Sequence, residues 1–235
     1  MFTDGEAPNS TPSGAETASS TPATTTPAAT TLGADKWDAR YGADKAVWSP
    51  EPNVLIAELV QQFAPNSSGH SSGRAVDLGA GEGRHAIWLA GLGWSVEAVD
   101  FSHVGLDKGA ANAGGLNEKI TWTVADATTW TPTPASVDLI VLSYLQLDEA
   151  ESAAVIRNIA PGLTPGGHIV WVSHDLINYT EGTGGPQMPS ILQTPEQVRS
   201  WMESAGLTVK LVETRARAIE GAPRPALDCV AVATS

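Results

Sequence analysis

The run Arg74-Ala75-Val76-Asp77-Leu78-Gly79-Ala80-Gly81-Glu82-Gly83-Arg84 constrains the fold of this chain more than any other segment. Five strand-type residues break into a loop with glycine at every second position. An apolar-periodic stretch from Gly83 to Leu92 follows, stopped by Gly91 and Gly93. Glycines let a backbone turn sharply and let another group approach the main chain closely, so the segment reads as a strand feeding a helix through a tight loop. A second strand, Trp94 to Val99, ends on Asp100, 21 residues after Gly79. Loop, helix, strand and terminal acid in that order mark the opening of a parallel α/β sheet, with ligands beyond the carboxyl ends of its strands.

The remainder continues the alternation. Ser102 is placed to cap a helix reaching about Ala113, followed by a third strand, Lys119 to Val124, and a fourth, Val137 to Leu142. Asp148 with Glu151 three residues on is a capping-box start, and that helix stops near Pro161-Gly162. Pro165-Gly166-Gly167 turns into a fifth strand, His168 to Ser173. Thr194-Pro195-Glu196-Gln197 starts another helix, closed by Gly206. Two last strands, Leu207 to Ile219 and Ala226 to Thr234, are joined by so short a connection that an antiparallel hairpin is expected. Before the glycine loop, Pro52 to Phe63 reads as a helix with Val54, Leu55, Leu59 and Phe63 on one face. The expected architecture is α/β: a Rossmann-like, doubly wound, seven-stranded sheet, mostly parallel, with a C-terminal antiparallel hairpin.

Residues 1–31 are Thr, Pro, Ser and Ala with almost no large apolar side chains, too little to offset the entropy of ordering them. A disordered tail is expected there, and one domain over 32–235. Of 26 acidic residues only Asp4, Glu6 and Glu16 fall in the tail, and none of the 13 basic ones does, so the domain carries a net charge of −10. With no basic run, such a domain is a poor match for nucleic acid. The single cysteine, Cys229, sits in an apolar run and reads as core. The chain shows neither a signal-peptide pattern nor an apolar stretch long enough to cross a bilayer. A cytoplasmic monomer that acts on a small molecule, without membrane attachment, is the expectation. Five histidines and one cysteine show no metal-ligand spacing.

The glycines identify the nucleotide class. A dinucleotide loop requires a third glycine where Arg84 stands, and a phosphate-binding lysine is absent. Glycines at 79, 81 and 83, with Asp77 two residues before the first, resemble motif I of the class I S-adenosylmethionine (SAM)-dependent methyltransferases. The resemblance extends in order over about residues 36 to 234: Asp100 after the second strand, Val124-Ala125-Asp126-Ala127 after the third, Ser143-Tyr144-Leu145 after the fourth, Leu163-Thr164-Pro165-Gly166-Gly167 before the fifth, and the terminal hairpin. It implies SAM as cofactor, with Asp77, Gly79, Ala80, Gly81 and Gly83 forming the loop, Asp100 on the ribose hydroxyls, Phe101 on the adenine face, Asp126 and Ala127 at the adenine amino group, and Ser143 beneath the methionine part. Arg84 and Arg40 are rivals for the methionine carboxylate. Asp77 has the alternative task of orienting the loop.

Trp37-Asp38-Ala39-Arg40-Tyr41 through Trp48 is similar to the N-terminal cover of small-molecule methyltransferases related to the tellurite-resistance and thiopurine-type enzymes, which implies that it folds over the cofactor and excludes water, with Trp37, Arg40 and Tyr41 against SAM. His174 after the fifth strand is a candidate general base, since its ordinary pKa lies near neutrality. Asp175 is a candidate to orient it or to bind a substrate hydroxyl, Tyr144 to line the acceptor pocket, and His85 is a second candidate base. The glycine-rich loop from Gly182 to Gln187 is expected at the same edge. No Asn/Asp-Pro-Pro-aromatic motif follows the fourth strand, which argues against exocyclic amines of bases as acceptors. The expected reaction is methyl transfer from SAM to a small-molecule nucleophile at sulfur, oxygen, nitrogen or a metalloid. A non-catalytic SAM-binding module and a nicotinamide oxidoreductase are the rival readings.

Overall fold

In a computed structural model, residues 28–43, 47, 49–65 and 73–235 are described. The chain enters through two helices, α1 (Ala28–Tyr41) and α2 (Val54–Phe63). The sheet then begins with β1 (Arg74–Leu78), α3 (Arg84–Gly91), β2 (Ser95–Asp100), α4 (His103–Asn112), β3 (Ile120–Val124) and β4 (Val137–Ser143). It closes with α5 (Glu149–Ile159), β5 (Leu163–His174), a short α6 (Asn178–Glu181), α7 (Pro195–Ser204), β6 (Thr208–Arg217) and β7 (Ala226–Thr234). The seven strands lie in the order β3-β2-β1-β4-β5-β7-β6. The pairs β1–β2, β2–β3, β1–β4 and β4–β5 are parallel, and β7 runs antiparallel to both β5 and β6. This is the expected doubly wound sheet with its terminal hairpin. The strand order reverses between β1 and β4, which opens a crevice at their carboxyl ends.

Each central strand is buried on both faces, so its residues alternate between two cores. Val170 and Val172 point to the side covered by α2 and α3, whereas Ile169 and Trp171 meet α5 and α7 on the other. Trp171 packs edge-on against Trp201 of α7, centroids 6.1 Å apart. Cys229 is fully buried among the second set, and burial pushes its thiol pKa far up, so it is core, as expected.

Local signals decided the helix starts. Ser102 accepts from the Gly105 amide, and Asp148 with Glu151 and Thr194 with Gln197 both form reciprocal capping boxes. The apolar face expected for the first helix needs correction. α2 starts at Val54, because Asn53 caps it by accepting from the Leu55 and Ile56 amides. Its buried stripe is Leu55, Ile56, Leu59 and Val60, while Val54 is half exposed. The turn expected at Pro165-Gly166-Gly167 lies inside β5 as a bulge: Val137 pairs with Leu163, yet Leu139 pairs with His168. Gly166 there has φ +81°. The expected tail falls mostly on residues outside the described set, and its last four residues belong to α1. No helix among the described residues is long and apolar enough to cross a membrane.

Candidate functional site

At the switch point the three loop glycines all have positive φ: Gly79 at +78°, Gly81 at +55° and Gly83 at +72°. A side chain would be strained at each, and at Gly81 a Cβ would also come within 2.5 Å of the Tyr41 hydroxyl. Below the loop, Asp77 is fully buried. Its Oδ2 accepts the Ala86 amide of α3 at 3.0 Å, and its Oδ1 lies 3.9 Å from His85 Nδ1. Burial raises the Asp77 pKa to about 7 and lowers that of His85 to about 3, so the interior opposes charge on both. His85 Nε2 accepts the Asn53 amide at 3.2 Å. Asp77 and His85 therefore tie strand, loop, α3 and α2 together. The orienting alternative for Asp77 is the one its geometry supports, and His85 is engaged as a neutral structural group rather than poised as a base.

Asp100 ends β2 beside the loop. Its Oδ2 accepts from Gly81 and its Oδ1 from Ser102, both at 2.8 Å. Burial raises its pKa against those two amides. Phe101 follows, partly buried. Asp126, at the end of β3, is turned back on its own loop, where Oδ1 accepts from the amide and the hydroxyl of Thr128 at 2.8 Å each, and Ala127 is buried beneath it.

A cleft opens beside the glycine loop, lined by Tyr41, Gly79, Ala80, Arg84, His85, Ser143 and Tyr144. Arg84, the first residue of α3, stands among Asp77, Tyr144 and Arg217, and burial lowers its pKa. Arg40 lies instead on the outside of α1 with its guanidinium 4.9 Å above the Trp37 ring. Of the two rivals, Arg84 is the one on the cleft. Ser143 Oγ is buried with no hydrogen-bond partner among the described residues, a polar atom left open beside the cleft.

The expected cover is helical as far as Tyr41, the described residues Gly42, Ala43 and Val47 follow outside the helix, and Trp48 lies outside the described residues. Trp37 stacks on Tyr41 at 5.4 Å, and Tyr41 is buried against the glycine loop. Asp38 bonds the Ser102 hydroxyl and lies 3.3 Å from His103 Nδ1. Lys108 of α4 donates to the carbonyls of Tyr41 (3.0 Å) and Ala43 (2.8 Å) and pairs with Glu82 of the loop at 3.0 Å. The other oxygen of Glu82 accepts the Val47 amide at 2.9 Å. Glu82 and Lys108, not singled out in the sequence, clasp cover to loop.

The acceptor edge holds a polar cluster. Tyr144 has φ +53°, an uncommon and costly conformation for an aromatic residue, and such strain gathers at functional loops. Its hydroxyl donates to Asp228 Oδ2 at 2.9 Å and accepts from Asn53 Nδ2 at 3.1 Å. Arg217 Nε donates to the same Asp228 oxygen at 2.7 Å. His174 packs on the Tyr144 ring at 4.6 Å, with Nδ1 3.1 Å from Asp228 Oδ1. Burial, then the Asp228 charge, push the Tyr144 phenol well above its ordinary value, so it stays protonated and shapes the wall with its ring.

Asp175 does not orient His174. Adjacent strand residues point to opposite sides, and its carboxylate turns away to accept the Ile177 amide at 3.1 Å and the Thr214 hydroxyl at 2.5 Å. Asp228, Arg217 and Asn53 were missed in the sequence. Two signals were present: a carboxylate between Leu227 and Cys229 in an otherwise apolar strand, and an Asn ahead of an apolar helix. No group of His, Cys, Asp and Glu among the described residues is arranged to hold a metal ion.

Residues 75–167 match a family model described as a methyltransferase domain. No curated protein matches the chain. Among solved structures, one concerned with conversion of a disulfide bond into a thioacetal group during echinomycin biosynthesis is 18% identical, with a TM-score of 0.66, over 86% of this chain and 92% of that one. An S-adenosylmethionine-dependent methyltransferase from Mesorhizobium loti is 20% identical, TM-score 0.63, over 78% and 99%. A TehB-like SAM-dependent methyltransferase from Corynebacterium glutamicum is 20% identical, TM-score 0.54, over 89% and 100%. At these identities the likeness is one of fold.

Proposed function

We propose that this chain, a class I SAM-dependent methyltransferase, transfers the methyl group of SAM to a small-molecule nucleophile. The observation that carries the reading is the convergence at one crevice of the glycine loop, the β2-terminal Asp100 and the Ser143-Tyr144 turn, with the Tyr144–His174–Arg217–Asp228 cluster beside it. The residues present fit the cofactor. Asp100 would take the ribose, Phe101, Asp126 and Ala127 the adenine. Arg84 would take the methionine carboxylate, helped by the positive end of α3, and the open Ser143 Oγ supplies a further polar contact.

When bound, SAM supplies a methyl carbon already activated by its sulfonium. The protein's share is alignment and exclusion of water, and good alignment alone contributes on the order of 7–11 kcal/mol. The α1 cover, clasped by Lys108 and Glu82, keeps water from the loop. Arg84 neutralises a carboxylate inside the cleft, and Tyr144 with His174 walls the acceptor side. The net charge of the domain favours a small acceptor over nucleic acid.

Calorimetric titration of SAM, with NAD as control, tests this. Saturable SAM binding that is lost in Asp100→Ala is expected. Binding of NAD alone, or SAM binding indifferent to Asp100, would overturn it.

A further inference from the structure

Tyr144 follows the last residue of β4 and stands at φ +53°, a backbone conformation that a bulky aromatic residue reaches only at a cost. Its amide is pinned, donating to the Val172 carbonyl of β5 at 2.8 Å. Its hydroxyl is pinned as well. It donates to Asp228 Oδ2 at 2.9 Å and accepts from Asn53 Nδ2 at 3.1 Å and from Arg217 Nε at 3.2 Å. One proton and two lone pairs are all that a phenol has. The hydroxyl is therefore fully committed to β7, to the start of α2 and to β6, and what Tyr144 offers to the cleft it lines is its ring.

Two of these partners bond to each other. Arg217 Nε donates to Asp228 Oδ2 at 2.7 Å, with Nη2 3.5 Å from Oδ1, and that pair would stand without Tyr144. Asn53 is different, because it joins Tyr144 to a second wall of the cleft. It is buried, and its groups point three ways. Oδ1 caps α2 by accepting the Leu55 amide at 2.9 Å and the Ile56 amide at 3.3 Å. Two N–H donors facing that oxygen fix which end of the side-chain amide is which, and turn Nδ2 toward the phenol. The main-chain N–H of Asn53 donates to His85 Nε2 at 3.2 Å. His85 on α3 and Tyr144 beyond β4 both line the cleft, so one residue ahead of α2 bonds to both.

We propose that Asn53 is a positioning residue for methyl transfer: anchored on His85 and on the cap of α2, it holds the Tyr144 ring in its strained place as a wall of the cleft. This rests on the methyl-transfer reading above. One neutral hydrogen bond contributes about as much as a residue at positive φ costs. Loss of the Nδ2 bond alone therefore brings the strained and relaxed arrangements of residue 144 into balance, and the cleft loses a fixed wall while the fold is kept. Asn53→Ser makes that single deletion, since serine caps a helix about as well as asparagine but is too short to reach the phenol as well.

The chain has 3 tyrosines, so protein labelled with fluorotyrosine gives a simple fluorine-19 spectrum, and the resonance lost in Tyr144→Phe is that of Tyr144. In the parent this resonance is expected as one sharp line that moves when SAM is added. In Asn53→Ser it is expected to split or to broaden by exchange. The Tyr41 and Tyr179 lines should stay where they are, and the unfolding midpoint should stay within about 4 °C of the parent. A crystal structure of Tyr144→Phe is expected to show residue 144 at negative φ, with its ring displaced from the cleft. A Tyr144 line unchanged in Asn53→Ser, or indifferent to saturating SAM, would overturn the proposal, as would residue 144 kept at positive φ in Tyr144→Phe. Equal broadening of all the tyrosine lines would reduce Asn53 to a helix cap and overturn it too. Absence of SAM binding in the parent protein would instead sink the methyl-transfer reading, while the Asn53→Ser spectrum still decides the pairing.

Discussion

Asp77 and His85 are a pair of buried titratable groups whose pH effects oppose one another. The Asp77 pKa is raised to about 7, so its contribution to stability is full below its unfolded value and is lost as pH rises through about 7. His85 is lowered to about 3, so its contribution is full above its unfolded value and is lost as pH falls from there toward 3. Between these limits the two slopes cancel. Asp77→Asn keeps an acceptor for the Ala86 amide and removes one slope. The variant is expected to gain relative to the parent on going from pH 5 to pH 8, by about 3 kcal/mol, since about two units of the shift lie in that interval. It should also lose stability on acidification where the parent is flat. Denaturant unfolding across pH checks both. At this scale the sequence was legible where a residue's task is set by its own backbone. The glycines at 79, 81 and 83 announce positive φ, and the final position of β2 places Asp100. It was illegible where a task needs a distant partner. His174 stood out beside Asp175, but the carboxylate facing it is Asp228, which only the register of β7 against β5 brings there.

Elements were read well where their ends carry side-chain caps. Asp148–Glu151 and Thr194–Gln197 lie within four residues of chain, so the hydrogen bonds that start α5 and α7 are written locally. The face of α2 was misread because Val54 and Ile56 flank Leu55 on either side, both apolar, and only packing on the sheet decides that Ile56 with Val60 is buried and Val54 is not. The bulge in β5 escaped because a glycine-rich turn and a glycine-rich bulge have the same composition; only pairing with Val137 and Leu139 tells them apart. The α1 cover depends on contacts from α4 and the loop. Lys108→Met keeps the apolar stem and deletes the bonds to the Tyr41 and Ala43 carbonyls and to Glu82. One net hydrogen bond is worth roughly 1 kcal/mol, so SAM is expected to leave about 5-fold faster or more. Stopped-flow displacement measures that rate, and an unchanged rate would mean that the clasp does not govern release.

Across the whole molecule the family match spans residues 75–167, and apart from Tyr144 the acceptor cluster lies outside it. The glycine loop, Asp100, Arg84 and Ser143 lie within it. Asn53, His174, Arg217 and Asp228 lie outside it, on the entry helix, the end of β5 and the terminal hairpin. The cofactor half was therefore readable from ordered motifs, while the acceptor half is assembled by antiparallel pairing of strands far apart in the chain. The two halves should also fail separately. Arg217→Met leaves Asp228, with no solvent exposure, without its cationic partner. Removing one member of a buried pair costs about 3 kcal/mol or more, which in a domain of this size lowers Tm by roughly 6–12 °C. Arg217 touches neither the glycine loop nor Asp100 in the hydrogen bonds described, so calorimetric SAM affinity is expected within about 3-fold of the parent, less than 1 kcal/mol. Loss of stability with affinity kept would establish Arg217 as the counter-ion of the acceptor cluster. Loss of affinity with stability kept would instead make Arg217, and not Arg84, the anchor of the methionine carboxylate, and would move the boundary between the two halves onto the hairpin itself.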